Sequence, residues 1–332
     1  DSETHPILSP TDEFSNFERM DMGNILNNAP KETWMLQYEY ARSALKNGLH
    51  FEDKTGENPF KFGLIGSSDG HNSVTAVAEE NFFGKFTDSL PSPNRALSTI
   101  GGGTGGHAFP ENWKLSASGL AAVWARENTR EEIFAAMKRR EVYATTGSRI
   151  MVRFFGGWNY PEDADIRPDY VDIGYAGGVP MGGDLTQAPE GQSPTFIIVA
   201  AKDTDGANLD RIQVIKGWLD AGGQLQEKVY DVVLSNERQV DAETGDAPAL
   251  VSSVDVENAT YTNKFGAPLL SVTWTDPDFD PSERAFYYTR VIEIPKPRWT
   301  AYDAAYFQIE MPDDIPMIIQ DRAYSSPIWY TP

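Results

Sequence analysis

Hydrophobic and polar positions change their period twice along the chain, and the changes divide it. Residues 1–30 are polar, rich in Asp, Asn, Pro and Met, and read as loop with one short helical piece around Phe14–Met20. From Lys31 to Asn47 the spacing is helical: Trp34, Leu36, Tyr38, Ala41, Ala44 and Leu45 recur every third or fourth position. Pro30 and Gly48 stand where helix ends put them. Asn58-Pro59 then marks a turn. Phe62-Gly63-Leu64-Ile65 follows as a short apolar run bounded by glycine, which predicts a buried strand of a parallel sheet.

Val74–Glu80 reads as a short helix, and residues 84–112 as a long irregular loop with Pro91-Ser92-Pro93 and Gly101-Gly102-Gly103-Thr104-Gly105-Gly106-His107. Gly119–Ala125 is strand-like. Thr129-Arg130-Glu131-Glu132 is a capping box that opens an amphipathic helix through Ile133, Phe134 and Met137. Glu141–Ile150 is a further strand with Arg149 at its tip. Beyond residue 150 the apolar runs become short, β-branched and closely spaced: Met151–Phe155, Thr195–Ala200, Arg211–Trp218, Glu227–Leu234, Leu269–Trp274 and Ala285–Ile294. That texture predicts an antiparallel sandwich over residues 151–332, with the tail from Arg322 adding a last strand. Helix, loop, strand and polar tip over residues 1–150 predict a parallel α/β unit.

Candidate chemistry sits at the end of the first predicted strand. Ser67-Ser68-Asp69-Gly70-His71 follows Ile65, and ligands collect beyond the carboxyl ends of parallel strands. A carboxylate and an imidazole one residue apart are donors that a divalent cation takes. A strand-ending turn with an Asp cap and a surface His explains the same residues equally well. Arg149 suits a phosphate or carboxylate clamp and, with equal weight, a surface ion pair. His107 sits either on a flap over a site or, the favoured reading, on a flexible linker. Asp203-Thr204-Asp205-Gly206 is half of a calcium loop and better read as a β-turn. The three carboxylates of Asp276–Asp280 are better read as a solvated loop than as a calcium site.

Charge narrows the partners. The chain of 332 residues has a net charge of −21 and no cysteine. Residues up to Ile150 hold 20 acidic and 15 basic side chains, and the remainder 29 and 13. An acidic surface of this size argues against nucleic acid and anionic membrane as partners. No apolar run is long enough to insert in a membrane. Disulfides and thiol nucleophiles are excluded. The start Asp1-Ser2-Glu3-Thr4, without Met, fits a mature or trimmed product, and a periplasmic or secreted location is the expectation.

Several runs together carry a family likeness. Asn58 through His71 resembles the late metal motif of the DUF3604 family, which is related to the polymerase-and-histidinol-phosphatase (PHP) superfamily. Thr129–Arg149, with Arg140-Glu141-Val142-Tyr143-Ala144-Thr145-Thr146-Gly147, is similar to the end of that catalytic domain. Ala285–Val291, Ile294-Pro295-Lys296-Pro297-Arg298-Trp299 and Ser326-Pro327-Ile328-Trp329-Tyr330 resemble its C-terminal region. The resemblance implies a distorted parallel α/β barrel, present here in part over residues 1–150, before the β-sandwich-like domain. It implies divalent metal (Zn, Mn or Fe) held by Asp69 and His71, and hydrolysis of a small-molecule phosphate ester, with sulfate esters as a variant. Arg149 and His107 become the substrate contacts.

The family's opening His-x-His pair has no counterpart, since His5, His50, His71 and His107 are all isolated. The expectation is therefore a C-terminal portion whose N-terminal half completes the metal site, so that this fragment alone is inactive. His50 is expected exposed and inert beyond a helix end. The alternative is an extracytoplasmic binding module for a glycan or a protein, with an inactive barrel remnant.

Overall fold

The helical pattern of residues 31–47 folds as a 3-10 helix, Thr33–Tyr38, and then α1, Ala41–Thr55. The computed structural model describes residues 3–19, 31–74, 76–99, 110–115, 118–241 and 247–332. Helix α1 runs through Gly48, because its spare space is filled by the Asn58 side chain, which stands where a Cβ would project. It stops instead at Gly56, whose φ of 82° gives the left-handed cap and whose N–H bonds Glu52 O. His50 consequently lies within the helix and is partly buried, not beyond its end.

Helix α2 (Asn112–Leu115), β1 (Leu120–Val123), α3 (Arg130–Lys138), β2 (Val142–Thr145) and β3 (Met151–Gly157) come next. Thr129 caps α3, accepting from Glu132 N–H at 3.3 Å. Then follow α4 (Tyr170–Gly177), β4 (Gly178–Pro180), β5 (Asp184–Thr186), β6 (Thr195–Ala201), β7 (Leu209–Leu219) and β8 (Leu225–Leu234). The chain closes with β9 (Leu269–Thr275), β10 (Ala285–Glu293), β11 (Lys296–Pro297), α5 (Trp299–Phe307), β12 (Ile318–Ile319), β13 (Arg322–Ser325) and β14 (Ile328–Thr331).

The structure is mixed α/β with mostly antiparallel sheets. In the larger sheet β10 pairs with β7 along one edge, and β7 with β8. On its other edge β13 and β14 lie end to end, and they lead to β2 and β1 and to β5. This sheet takes strands from both sides of residue 150. The smaller sheet has the order β4-β3-β6-β9. Phe154, Phe196 and Ile198 of the small sheet meet Val214, Tyr287 and Ile328 of the large one in the main core. The opposite face of the large sheet is covered by Leu45 and Leu49 of α1, with Phe62 and Leu64 packed beside them.

Three expectations are corrected here. The described residues form no closed barrel, and among them only β14 and β5 pair in parallel. Phe62–Ile65 forms no strand. Leu64 N–H donates to Ser326 Oγ (2.9 Å), and Gly66 N–H to Leu120 O (3.2 Å). The segment thus lies against β1, β2 and the β13–β14 junction, and no ladder of backbone bonds continues along it. Phe62 and Leu64 pack on the outer face of an existing sheet while Ile65 is left exposed, so no parallel partner is needed. The described residues of Val74–Glu80 likewise form no α-helix; among them only Glu79 and Glu80 are helical, in the 3-10 turn Glu79–Asn81. No helix among the described residues is long and apolar enough to cross a membrane.

Candidate functional site

Extended segment 62–67 delivers the Asp-Gly-His turn to the surface. Gly66 and Gly119 permit this approach: a Cβ on Gly66 would stand 2.5 Å from Thr145 O and 2.6 Å from Leu120 O. Past Ser67 the chain turns sharply. Asp69 has a φ of 49°, in the left-handed region that Asp tolerates better than most residues. Its N–H bonds Ser67 Oγ at 3.3 Å. The turn is then tied to residues 83–85: His71 N–H donates to Lys85 O (2.7 Å), and Asn72 Nδ2 to Phe83 O and Gly84 O.

Within this turn Asp69 Oδ1 stands 3.6 Å from His71 Nδ1. The imidazole lies on the Phe86 ring at 4.6 Å and bonds Asp69 O through Nδ1 at 2.7 Å. A carbonyl only accepts, so Nδ1 carries the proton and Nε2 keeps the lone pair that metals use. The Asp69 carboxylate, for its part, is paired with the Lys85 ammonium. Both side chains are more than half exposed, at 57% and 52%. Asp69 and His71 therefore stand together, but at the surface and not at the rim of a buried strand.

As a test of a metal, the donor types fit and the set is short. Catalytic zinc takes three protein ligands. Among the described residues no group of three or more His, Asp or Glu side chains is placed to hold a metal ion. Arg149 is elsewhere. It lines a different cavity of about 420 Å³ with Ser148, Asp203 and Lys296, and its N–H donates to Asp203 Oδ2 at 2.8 Å. Neither Asp69 nor His71 lines that cavity. His107 lies outside the described residues.

The remaining carboxylate motifs are engaged from within the chain. Lys202 Nζ donates to the carbonyls of Asp203, Thr204 and Gly206, so an ammonium fills the place that a cation would take in the Asp203–Gly206 turn. Asp276 pairs with Lys216 and accepts from Tyr287 Oη, while Asp278 pairs with Lys228. His5 is buried, accepting from Ile7 N–H through Nδ1.

A feature that pattern reading misses lies just inside the turn. A cavity of about 220 Å³ is lined by Leu64, Ser67, Ser118, Glu79, Arg298 and Tyr324 among others. Glu79 is 4% exposed and its Oε2 accepts from Trp299 N–H at 2.5 Å. Burial, followed by the nearby Asp321 charge, pushes its carboxyl up to about 8, against the opposing pull of Arg298 and Lys296. Arg298 Nε and Nη2 form a fork with both Glu18 oxygens at 2.7 and 2.9 Å. Burial pushes the Tyr324 hydroxyl up to about 12. Glu79 falls inside a predicted helix and Arg298 inside a proline-rich run; neither position shows its burial in the local pattern.

No curated protein and no solved structure matches the chain. One family model does, the one described as protein of unknown function (DUF3604), and it matches residues 1–332. The chain belongs to the DUF3604 family.

Proposed function

We propose that this chain is part of a divalent-metal-dependent hydrolase of PHP type acting on small phosphate esters, with sulfate esters as the variant. Asp69 and His71 are two of its metal ligands. What supports the reading is their adjacency on one tied turn, with the His71 ring oriented by Nδ1 so that Nε2 is the available donor. In this reading the further ligands come from an N-terminal half of the same protein, which also completes a partial barrel. The bound cation, Zn, Mn or Fe, would supply an ionised water near neutral pH and screen charge developing on phosphorus. Lys85 would have to release Asp69 when the cation binds. In this reading His107 contacts the ester oxyanion, Arg149 would do so only if its segment reached the turn from the separate cavity it lines, and the protein works in the periplasm or outside the cell.

Titration calorimetry with Zn²⁺ or Mn²⁺, together with hydrolysis of nitrophenyl phosphate mono- and diesters, tests this. Binding is expected in the natural protein and lost in His71→Ala, with turnover falling in step. Metal content and turnover unchanged in His71→Ala would refute it.

A further inference from the structure

Strand β1 is an open sheet edge. On β2, Thr146 N–H bonds Arg322 O, and Ser326 N–H bonds Val142 O. Val142, Ala144 and Thr146 therefore turn their backbone groups toward β13, and Tyr143 and Thr145 turn theirs toward β1. The β1 partners of Tyr143 and Thr145 are Ala122 and Leu120. The N–H and C=O of Ala121 and Val123 then point away from the sheet. Among the described residues no backbone bond reaches them, and Gly66 N–H meets β1 only at Leu120 O. Ala121 is exposed.

An open edge invites a further strand, and folded proteins guard against it with charge, proline or cover. The other edges of the two main sheets are guarded. Strand β8 carries Glu227, Lys228 and Asp231, and β5 carries Asp184, held by Lys61 and Arg140. Strand β4 ends in Pro180, and β9 is covered by Asp165, which accepts from the Ser271 and Thr273 hydroxyls. Strand β1 reads Leu-Ala-Ala-Val, with no charge, no proline and no bulge in its pairing.

The surroundings of this edge select the strand that fits. Helix α3 packs against β1. Along it Glu131, Phe134 and Lys138 follow at helical spacing on one exposed stripe, with Met137 beside them. Phe134 is 62% and Met137 45% exposed, which is high for large apolar side chains. The stripe is acidic toward the start of the helix, apolar in the middle and basic toward the end. A copy running the other way sets Glu131 against the partner's Lys138 and Phe134 against the partner's Phe134. The edge has the same property. With Ala122 on a twofold axis, Ala121 faces the partner's Val123, and each such pair exchanges both backbone bonds. A patch that complements itself in charge and in backbone register suits an isologous contact.

We propose that β1 pairs antiparallel with β1 of a second copy of this chain, with α3 against α3, in a twofold dimer whose large sheet is continuous. The contact uses neither Asp69 nor His71, so it stands whether or not those residues hold a metal.

Sedimentation equilibrium over a concentration series, with thermal unfolding of each dilute variant, tests this. A reversible monomer–dimer equilibrium is expected. Ala121→Pro removes an N–H that bonds nothing within the chain, so unfolding of the monomer should be unchanged. By symmetry it deletes a bond at both Ala121–Val123 pairs and should raise the dissociation constant roughly tenfold or more. Glu131→Lys and Lys138→Glu should each weaken the dimer several-fold, and the double variant should regain the wild-type constant. Monomer alone up to about 100 µM, short of even a weak specific interface, would overturn the proposal and leave the edge to a strand of another chain. A dimer indifferent to Ala121→Pro and to both charge reversals would overturn it as well, as would a double variant no stronger than the single ones.

Discussion

Replacing Glu79 by Gln should make the protein more stable in mild alkali while leaving it nearly unchanged at pH 5. Glu79 is buried beside Asp321, and its carboxyl is raised from 4.5 to about 8. A carboxyl raised on folding contributes stability that is fully present below its unfolded value. That stability is lost as pH climbs through the folded value. The gap between 4.5 and about 8, at about 1.4 kcal/mol per tenfold change in proton affinity, amounts to about 5 kcal/mol. Gln keeps an amide oxygen for Trp299 N–H, the bond that helps to begin α5, and has no proton to lose. Urea unfolding followed by tryptophan fluorescence at pH 5, 7 and 9 reads the difference. Glu293, raised by burial to about 6 beside the same Lys296 and Asp321, adds a pH dependence of its own to wild type and variant. Glu3 and Asp12 are lowered and act below this range. The expected result is equal stability at pH 5 and a Glu79→Gln advantage of several kcal/mol at pH 9. A variant that loses stability as steeply as wild type between pH 5 and 9 would refute the assignment of this burial cost to Glu79.

Arg290→Ala should cost about 3–5 kcal/mol in chemical denaturation, because it strands Glu3 and Asp12 in the interior with only Arg42 to answer them. The same variant should flatten the acid side of the stability profile. Arginines hold Glu3 and Asp12 below their ordinary range, so their contribution is present above pH 4.5 and lost as pH falls; an unchanged acid transition would contradict this. Gly217→Ala should lower stability by about 1–3 kcal/mol, since an added Cβ overlaps the Phe286 ring across the β7–β10 pair; a neutral melt would show that the ring gives way. Asp69→Asn should change unfolding by less than about 0.5 kcal/mol, as expected for an exposed turn. A large loss there would mean that the Asp69–Lys85 pair holds the loop in place.

The strands after residue 150 were legible because their signal is local. Thr195–Ala201 and Leu269–Thr275 are short β-branched runs that pair with each other, and the Thr129 cap announces α3 within four residues. Phe62–Ile65 was misread for a physical reason. An apolar run of four bounded by turns reports burial, not pairing. Here the partial burial of Phe62 and Leu64 comes from lying on a sheet already formed by β2, β13 and β14, and Ile65 stays exposed. The adjacency of Asp69 and His71 was readable from their spacing, while their exposure was not, since it depends on where residues 83–86 return. Arg298, Glu79 and Tyr324 come together from three distant stretches, and no window of sequence contains the cavity they share.

The same reasoning explains why the N-terminal segment looked featureless. The pattern of residues 3–19 is weak, and the short helix expected from Phe14 does not form over the described residues 14–19; instead the acidic side chains are placed one by one against guanidinium groups. Glu3 and Asp12 meet Arg42 and Arg290, Glu13 meets Arg211, and Glu18 meets Arg298. Phe14 lies within 6 Å of Arg211, Arg290 and Arg322, and Phe17 lies 3.8 Å from Arg322. Charge pairing and cation–π contact have no period, so a hydrophobic pattern cannot register them. Four of these five arginines stand on β7, β10 or β13 or at the start of α5, and Arg42 stands on α1. Bringing those strands together must precede the binding of the segment, because before the sheet forms there is no row of guanidinium groups to receive it.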